Sequence, residues 1–398
     1  MISVTEAHFL LAESAKSMPR KETRALAQAN NYILAQTIYS PIDTPNFDQS
    51  NMDGYAIIFE ADKTNFRLVA PIQAAGKASE YALNAGEAMR IFTGAPLPTN
   101  ADTVVMQEHC EAANGQLNIL SGQYKKGSHV RPRASQTRKG DTLLTAGTKL
   151  NPAAIGYLAM HGISQVEVQK KPVIGLIITG DELIAPDKSL SKGQVYEANS
   201  FALQTLWAQY DIEALPAVFV GDSAAAISAG LAKIAKDADI IVVSGGASVG
   251  DFDFAVRVLT DFGVEQVFHK VKQKPGKPLY LGKQSDANKL YFALPGNPSS
   301  ALVCAYEYII RAAKLIQNED LSKNKPFFAL SHAYSKGAGL THFVRGIVDF
   351  EAKTVRILAN QDSFRLDAFA QANALIELKA EQTDFATGEI LPVLLLNQ

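Results

Sequence analysis

Cysteine is scarce in this chain: only Cys110 and Cys304 occur in 398 residues. That scarcity excludes a disulfide framework and a thiolate zinc site of ordinary spacing. An excess of one charge is also missing, because 38 Lys and Arg face 40 Asp and Glu for a formal charge of −2. Global attraction to nucleic acid or anionic lipid is therefore not expected, and any bound anion must be held by a local cluster. Long apolar runs are absent. A stretch such as Leu391-Pro392-Val393-Leu394-Leu395-Leu396 falls far short of the ~20 residues that cross a bilayer. Near the start, His8-Phe9-Leu10-Leu11-Ala12 lies between Glu6 and Glu13 without a basic leader, so it does not read as a signal peptide. No two of the seven histidines stand at i, i+4, so a helical metal pair is not signalled. The expectation is a cytoplasmic protein in a reducing compartment, with neither nucleic acid nor membrane as partner. What the chain does contain is 47% hydrophobic and 20% charged residues. This suits ordinary soluble cores, and at roughly 150 residues per domain the length predicts two to three domains.

The texture changes along the chain. Residues 1–40 read as helix: Ser3 caps, Glu6 completes a capping box, and apolar residues recur at helical spacing to Ile33, Leu34 and Ile38. Pro41 and Pro45 end it. From 46 to about 147, β-prone runs (54–59, 67–69, 103–107, 116–120) alternate with Gly, Pro and Asn turns, which predicts a small all-β unit. Residues 151–162 read as helix again, with Asn151 at the N-cap and Pro152 at the first helical position. Helical material on both sides makes the β unit an insertion. From Lys171 onward, apolar strands (173–179, 218–220, 240–244, 290–294) alternate with helices (200–210, 224–236, 254–262, 299–316). That alternation predicts a parallel sheet covered on both faces, a doubly wound α/β module. A polar stretch at 318–326 reads as a linker, and 327–398 returns to short strands as a compact β-barrel or sandwich.

Ligands of an open parallel sheet sit beyond the carboxyl ends of its strands. Those ends carry Thr179-Gly180-Asp181-Glu182, Gly221-Asp222, the run Ser244-Gly245-Gly246-Ala247-Ser248-Val249-Gly250-Asp251, and Pro295-Gly296-Asn297-Pro298. Glycine-rich turns leading into helices offer backbone N–H groups to phosphate or another oxyanion. Glu182, Asp222 and Asp251 converging on one crevice could hold Mg²⁺, a hard cation that prefers oxygen donors. Each acid alone reads as a cap or a solvated loop residue; three at successive strand ends favour a site. Opposite in sign is His269-Lys270-Val271-Lys272-Gln273-Lys274-Pro275-Gly276-Lys277-Pro278. If extended, it presents Lys270, Lys272 and Lys274 on one face, with Lys277 beside them after the Pro-Gly turn. A solvated edge strand is the plainer account. Lysines fixed by flanking prolines near an acid cluster instead suit a phosphorylated ligand with a metal bridging its oxygens.

Five collinear segments resemble the MoeA family, the molybdopterin molybdenumtransferases that include the E-domain of gephyrin. They are the run from Phe47 to Ala56 containing Ser50-Asn51-Met52-Asp53-Gly54-Tyr55; Phe92-Thr93-Gly94-Ala95-Pro96 with Ala101-Asp102; Thr179-Gly180-Asp181-Glu182-Leu183; the run from Ser244 to Asp251 with Lys274-Pro275-Gly276-Lys277-Pro278; and Leu294-Pro295-Gly296-Asn297-Pro298. The related adenylyltransferases share only the middle module and lack the Met52-Asp53-Gly54-Tyr55 segment. The resemblance implies four domains: a helical stem at 1–45 and 142–170, an inserted β domain at 46–141, an α/β molybdopterin-binding module at 171–320 and a C-terminal β-barrel at 327–398. It also implies an elongated homodimer with a composite site, and hand-over of substrate from a molybdopterin adenylyltransferase. The implied reaction inserts molybdate into adenylylated molybdopterin, with a divalent ion such as Mg²⁺, and releases AMP and molybdenum cofactor. Matching positions are Asp53, Glu182, Asp222, Asp251 and Lys270 as catalytic groups, with Glu182, Asp222 and Asp251 as metal ligands. Substrate binding falls to Thr93, Asp141, Ser244, Gly245, Gly246, Ser248, Lys274, Lys277, Pro295, Gly296, Asn297 and Pro298, with Arg345 and Ser363 from the C-terminal domain. Here Ser363-Phe364-Arg365-Leu366-Asp367 replaces a more usual small-residue turn. Asp53, Thr93 and Asp141 are expected to reach the site from the partner subunit. Two competing readings are adenylyl transfer to molybdopterin and a non-catalytic dimeric scaffold of the same fold.

Overall fold

A computed structural model describes residues 1–16, 18–78, 80–120, 124–245, 254–321 and 325–396. The chain divides into two compact units, one of 1–24, 31–35 and 167–398, the other of 25–30 and 36–166.

The first unit begins with helix α1, Val4–Ala15, capped by Ser3, whose side chain accepts the Glu6 amide. The helix stops there, not near Ile38 as the periodicity predicts. Pro19 disfavours helix at Met18, and Lys21–Ala25 is a strand. Val4, Ala7, Leu11 and Ala15 bury themselves in the core of the α/β module, so the apolar spacing of α1 is spent on that module.

The module's sheet contains β1 (Ile174–Thr179), β2 (Val218–Val220), β3 (Ile240–Ser244), β4 (Glu265–His269), β5 (Tyr280–Gln284) and β6 (Lys289–Leu294), in the spatial order β2-β1-β3-β6-β5-β4. The first four in that order are parallel. The doubly wound expectation holds for them, but β5 and β4 add an antiparallel edge that the sequence reading did not include. Alternate side chains of each buried strand enter opposite cores. Leu176, Val242 and Phe292 pack with α1, with helix α2 (Asn199–Gln209) and with the helical rod 298–316. Ile177, Val243 and Tyr291 pack with helices α3 (Ala224–Ile234) and α4 (Phe254–Asp261). Strands buried on both faces need no polar alternation, which is why they read as continuous apolar runs. The rod 298–316 contains a π-helical turn at Ala305–Ile309.

The C-terminal region is a closed five-stranded barrel. Its strands β7 (Phe327–Leu330), β8 (Thr341–Asp349), β9 (Thr354–Ile357), β10 (Ala374–Leu378) and β11 (Ile390–Leu395) pair in the cycle β8-β9-β7-β11-β10-β8. Closure removes free edges, except that the two-residue strand Gln273–Lys274 adds to β8 in parallel. The module's lysine segment is thereby hydrogen-bonded to the barrel.

The second unit holds a six-stranded sheet in the order Thr103–Met106, Gly54–Ile57, Glu87–Ile91, Asn65–Gln73, Gln116–Ile119, Cys110–Ala113. The β-rich texture of 46–147 is thus realised as a sheet. The helix Pro152–Met160 follows, with Asn151 as its cap and Pro152 at its start as predicted. Among the described residues, no helix is long and apolar enough to cross a membrane.

Candidate functional site

The carboxyl ends of the module's parallel strands open into a cavity of about 750 Å³. Four expected groups of residues meet there: Glu182 and Asp222 after β1 and β2, Ser244 and Gly245 after β3, Lys274 and Lys277 on the proline-flanked loop, and Pro295, Gly296, Asn297 and Pro298 after β6. Ser363 of the C-terminal region lines the same space. Carboxylates and lysines therefore share one pocket, the arrangement that a metal-bridged phosphate ligand requires.

The acid side is held by the strand ends. The Thr179 hydroxyl donates to Asp222 Oδ1, and the Asp222 amide donates to Asp181 Oδ1 at 3.2 Å. Gly245 has φ +100°, and a Cβ there would stand 2.5 Å from the Thr179 carbonyl oxygen. Only glycine lets the loop leave β3 so close to β1. Among the described residues, no three of His, Cys, Asp and Glu are grouped as a metal ligand set. Asp251, the third expected ligand, lies outside the described residues, as do Gly246 and Ser248.

The basic side is braced from beneath. Gln273 is fully buried; its Nε2 donates to the carbonyls of Pro275 at 3.1 Å and Gly276 at 3.4 Å. The Tyr308 hydroxyl donates to Gln273 Oε1. The loop between Lys274 and Lys277 is thus tied to the rod 298–316. Lys270 departs from expectation. It has φ +70°, which breaks the strand alternation that would align it with Lys272 and Lys274, and it is not among the cavity-lining residues. Its amide instead donates to the Leu279 carbonyl at 2.9 Å.

Arg345 also departs. It is fully buried and does not line the cavity. Its Nη2 donates to the carbonyls of Asn360 at 3.1 Å and Asp362 at 3.2 Å, and its guanidinium lies over the Phe369 ring. Burial brings its pKa down to about 10. It organises from behind the loop that delivers Gln361 and Ser363 to the cavity, and Asn297 Nδ2 reaches Ser363 Oγ at 3.3 Å.

Asp53, Thr93 and Asp141 belong to the second unit. Asp53 Oδ1 accepts the Thr93 amide at 2.8 Å and hydroxyl at 2.7 Å, which holds its carboxyl below the usual range. The Asp141 carboxylate accepts the Arg138 amide at 2.8 Å.

Further polar residues, Asn199 and Glu197, complete the cavity without having been expected there. Asn199 donates through Nδ2 to Ser244 Oγ at 3.0 Å and to the Gly296 carbonyl at 2.8 Å, joining the ends of β3 and β6. Glu197 accepts the Ser200 amide at 2.7 Å and hydroxyl at 2.5 Å, so the turn before α2 is fixed. The polar run Tyr196-Glu197-Ala198-Asn199 at a helix start was the available signal.

Family models account for nearly the whole chain: the MoeA N-terminal region (domain I and II) over residues 2–162, a probable molybdopterin binding domain over 175–314, and the MoeA C-terminal region (domain IV) over 329–396. A molybdopterin molybdenumtransferase from Nostoc sp. is 34% identical, with 98% of this chain and 92% of that protein covered. One from Haemophilus influenzae is 31% identical over 99% and 98%. The crystal structure of a molybdopterin biosynthesis MoeA protein from Pyrococcus horikosii superposes with a TM-score of 0.81 at 27% identity, covering 100% of this chain and 99% of that one. The chain belongs to the MoeA family of molybdopterin molybdenumtransferases, transferases of molybdenum cofactor biosynthesis.

Proposed function

We propose that the chain inserts molybdate into adenylylated molybdopterin, with cleavage of the phosphoanhydride to AMP and release of molybdenum cofactor. The observation that carries this reading is the single cavity in which Glu182 and Asp222 face Lys274 and Lys277. Molybdate is a tetrahedral dianion and needs fixed cations; Lys274 and Lys277 bind it as substrate. The loop around Pro295, Gly296, Asn297 and Pro298, at the start of the rod 298–316, offers backbone N–H groups to the substrate's phosphates. Ser244 and Gly245 complete that cradle, and Asn199 keeps the two strand ends together.

A divalent ion such as Mg²⁺ suits the donors. Glu182 and Asp222 are hard carboxylate ligands, and the hydroxyls of Thr179 and Ser244 stand by the same strand ends. Magnesium commonly binds through one or two carboxylates with water and substrate phosphate completing its shell. Glu182 and Asp222, with Asp251, would hold it, and the ion would supply charge neutralisation at the phosphoanhydride oxygens. Asp53, Thr93 and Asp141 enter, on this reading, from the partner subunit of a homodimer, and a molybdopterin adenylyltransferase supplies the substrate. The four-part division into stem, inserted β domain, module and barrel belongs to the same reading.

The test is AMP release from adenylylated molybdopterin. Release that depends on both molybdate and a divalent ion supports the proposal; release indifferent to molybdate contradicts it.

A further inference from the structure

Arg345 is a fully buried cation with few partners. Its Nε and Nη1 find no hydrogen-bond partner among the described residues, and the Asp362 and Asp367 carboxylates act on it only through their charge. A desolvated guanidinium left so bare is costly. What lies against it is a ring. Its Cζ stands 5.5 Å from the centroid of Phe369, where exclusion of water strengthens the cation–π attraction. Phe369 belongs to the short helix Asp367–Gln371 and is stacked on Tyr306 of the rod, with ring centroids 6.3 Å apart and planes 5° from parallel. Tyr306 in turn meets Tyr210, at the end of α2, edge to face at 6.3 Å, and the Lys314 ammonium lies 5.5 Å over the Tyr210 ring. Three rings thus connect α2 and the rod to the buried guanidinium. Tyr306 sits in the π-helical turn Ala305–Ile309, as does Tyr308, which braces the lysine loop through Gln273. One irregular turn therefore supports both the lysine loop and, through Phe369 and Arg345, the loop that carries Gln361 and Ser363 to the cavity.

We propose that Tyr306 and Phe369 are positioning residues for the cavity: their stacked rings hold the Arg345 guanidinium in place, and Arg345 holds the 360–363 loop. Neither ring is among the cavity-lining residues, so both act through Arg345 rather than on a ligand. A guanidinium released from the Phe369 face keeps only its Nη2 bonds to fix its tilt. The carbonyls of Asn360 and Asp362 then lose a rigid anchor, and Ser363 shifts with them. That the loop serves molybdate rests on the function proposed above; the support of the loop does not.

Hydrogen exchange of the full chain, read by mass spectrometry, follows the loop without any ligand. Segment 358–366 should exchange about two- to tenfold faster in Tyr306→Leu and in Phe369→Leu, the worth of one aromatic pair. The strand Phe327–Leu330 should keep its wild-type rate in both, which also establishes that the barrel is folded. Tyr306→Phe retains the ring and should match wild type throughout. Combining Tyr306→Leu with Phe369→Leu should cost no more than either alone, because both act through one contact. Equilibrium dialysis should show the molybdate Kd raised by a similar factor in both Leu variants and unchanged in Tyr306→Phe. Wild-type exchange at 358–366 in both Leu variants, losses that add in the double variant, or an equal loss in Tyr306→Phe overturns the proposal. Faster loop exchange with a wild-type molybdate Kd would overturn instead the reading of the cavity as the molybdate site, and leave the positioning role standing.

Discussion

Gly276 and Cys304 are in closest approach at the base of the lysine loop: a Cβ on Gly276 would lie 2.5 Å from Cys304 Sγ and 2.8 Å from Gln273 Nε2. Gly276 also has φ +85°, so a side chain would be strained by backbone and neighbours together. Gly276→Ala should destabilise the chain by about 1–3 kcal/mol and displace Lys274 and Lys277. Urea unfolding checks the first effect and molybdate affinity the second. Adding Cys304→Ala should recover part of the stability, because it removes the sulfur while leaving the φ strain.

Arg345 separates contact from support. If it acts by holding the 360–363 loop, Arg345→Lys should lose the fork of donors to Asn360 and Asp362 and cost about 1–3 kcal/mol. The KM for molybdate should rise with the displaced Ser363, and kcat should fall less. A fall in kcat with unchanged stability would instead mean direct contact with the reacting groups.

Lysine variants test the loop's geometry. Lys274→Ala and Lys277→Ala should each raise the molybdate Kd at least about tenfold, the loss of one charge-assisted contact of 1.5–3 kcal/mol. Lys270→Ala should do less than either, because Lys270 sits outside the cavity lining. Equal losses at all three positions would restore the alternating ribbon expected from the sequence.

His8 gives the chain a pH dependence. Burial and the positive charges of Arg311 and Lys325 outweigh the Glu377 carboxylate and a hydrogen bond with the Glu307 backbone, and they lower His8 from 6.5 to about 3, although Glu307 Oε2 is 3.8 Å from its Nε2. Between those pH values the unfolded chain binds a proton that the folded chain does not. Stability should therefore fall as pH drops from about 6.5 toward 3, by up to about 1.4 kcal/mol per pH unit from this group. Urea midpoints across that range should show a shallower slope in His8→Phe; an unchanged slope would assign the dependence elsewhere.

Much of this site was legible in the sequence. Glu182, Asp222, Ser244 and Asn297 could be placed because parallel strands present their carboxyl ends to ligands and the apolar runs located those ends, and Lys274 and Lys277 because prolines flank them in a dense lysine run. The failures have particular causes. Helical spacing continued past Ala15, but Pro19 and the strand Lys21–Ala25 overrode it. Alternation failed at Lys270 because one residue adopted φ +70°, which a pattern of lysines cannot reveal. Arg345 was expected at the site only through the family resemblance, and the barrel buries it. Asn199 and Gln273 carry no charge; a polar helix start was the one signal at Asn199, and the role of Gln273 exists only through its tertiary partners Pro275 and Tyr308.

The most direct test of the shared cavity is AMP release by wild type and Asp222→Asn with adenylylated molybdopterin, molybdate and Mg²⁺ present or withheld. Wild type should release AMP only when molybdate and the ion are both supplied, and Asp222→Asn should bind molybdate normally but turn over at least about a hundredfold more slowly. AMP release that ignores molybdate, or an Asp222→Asn variant as fast as wild type, would contradict the account.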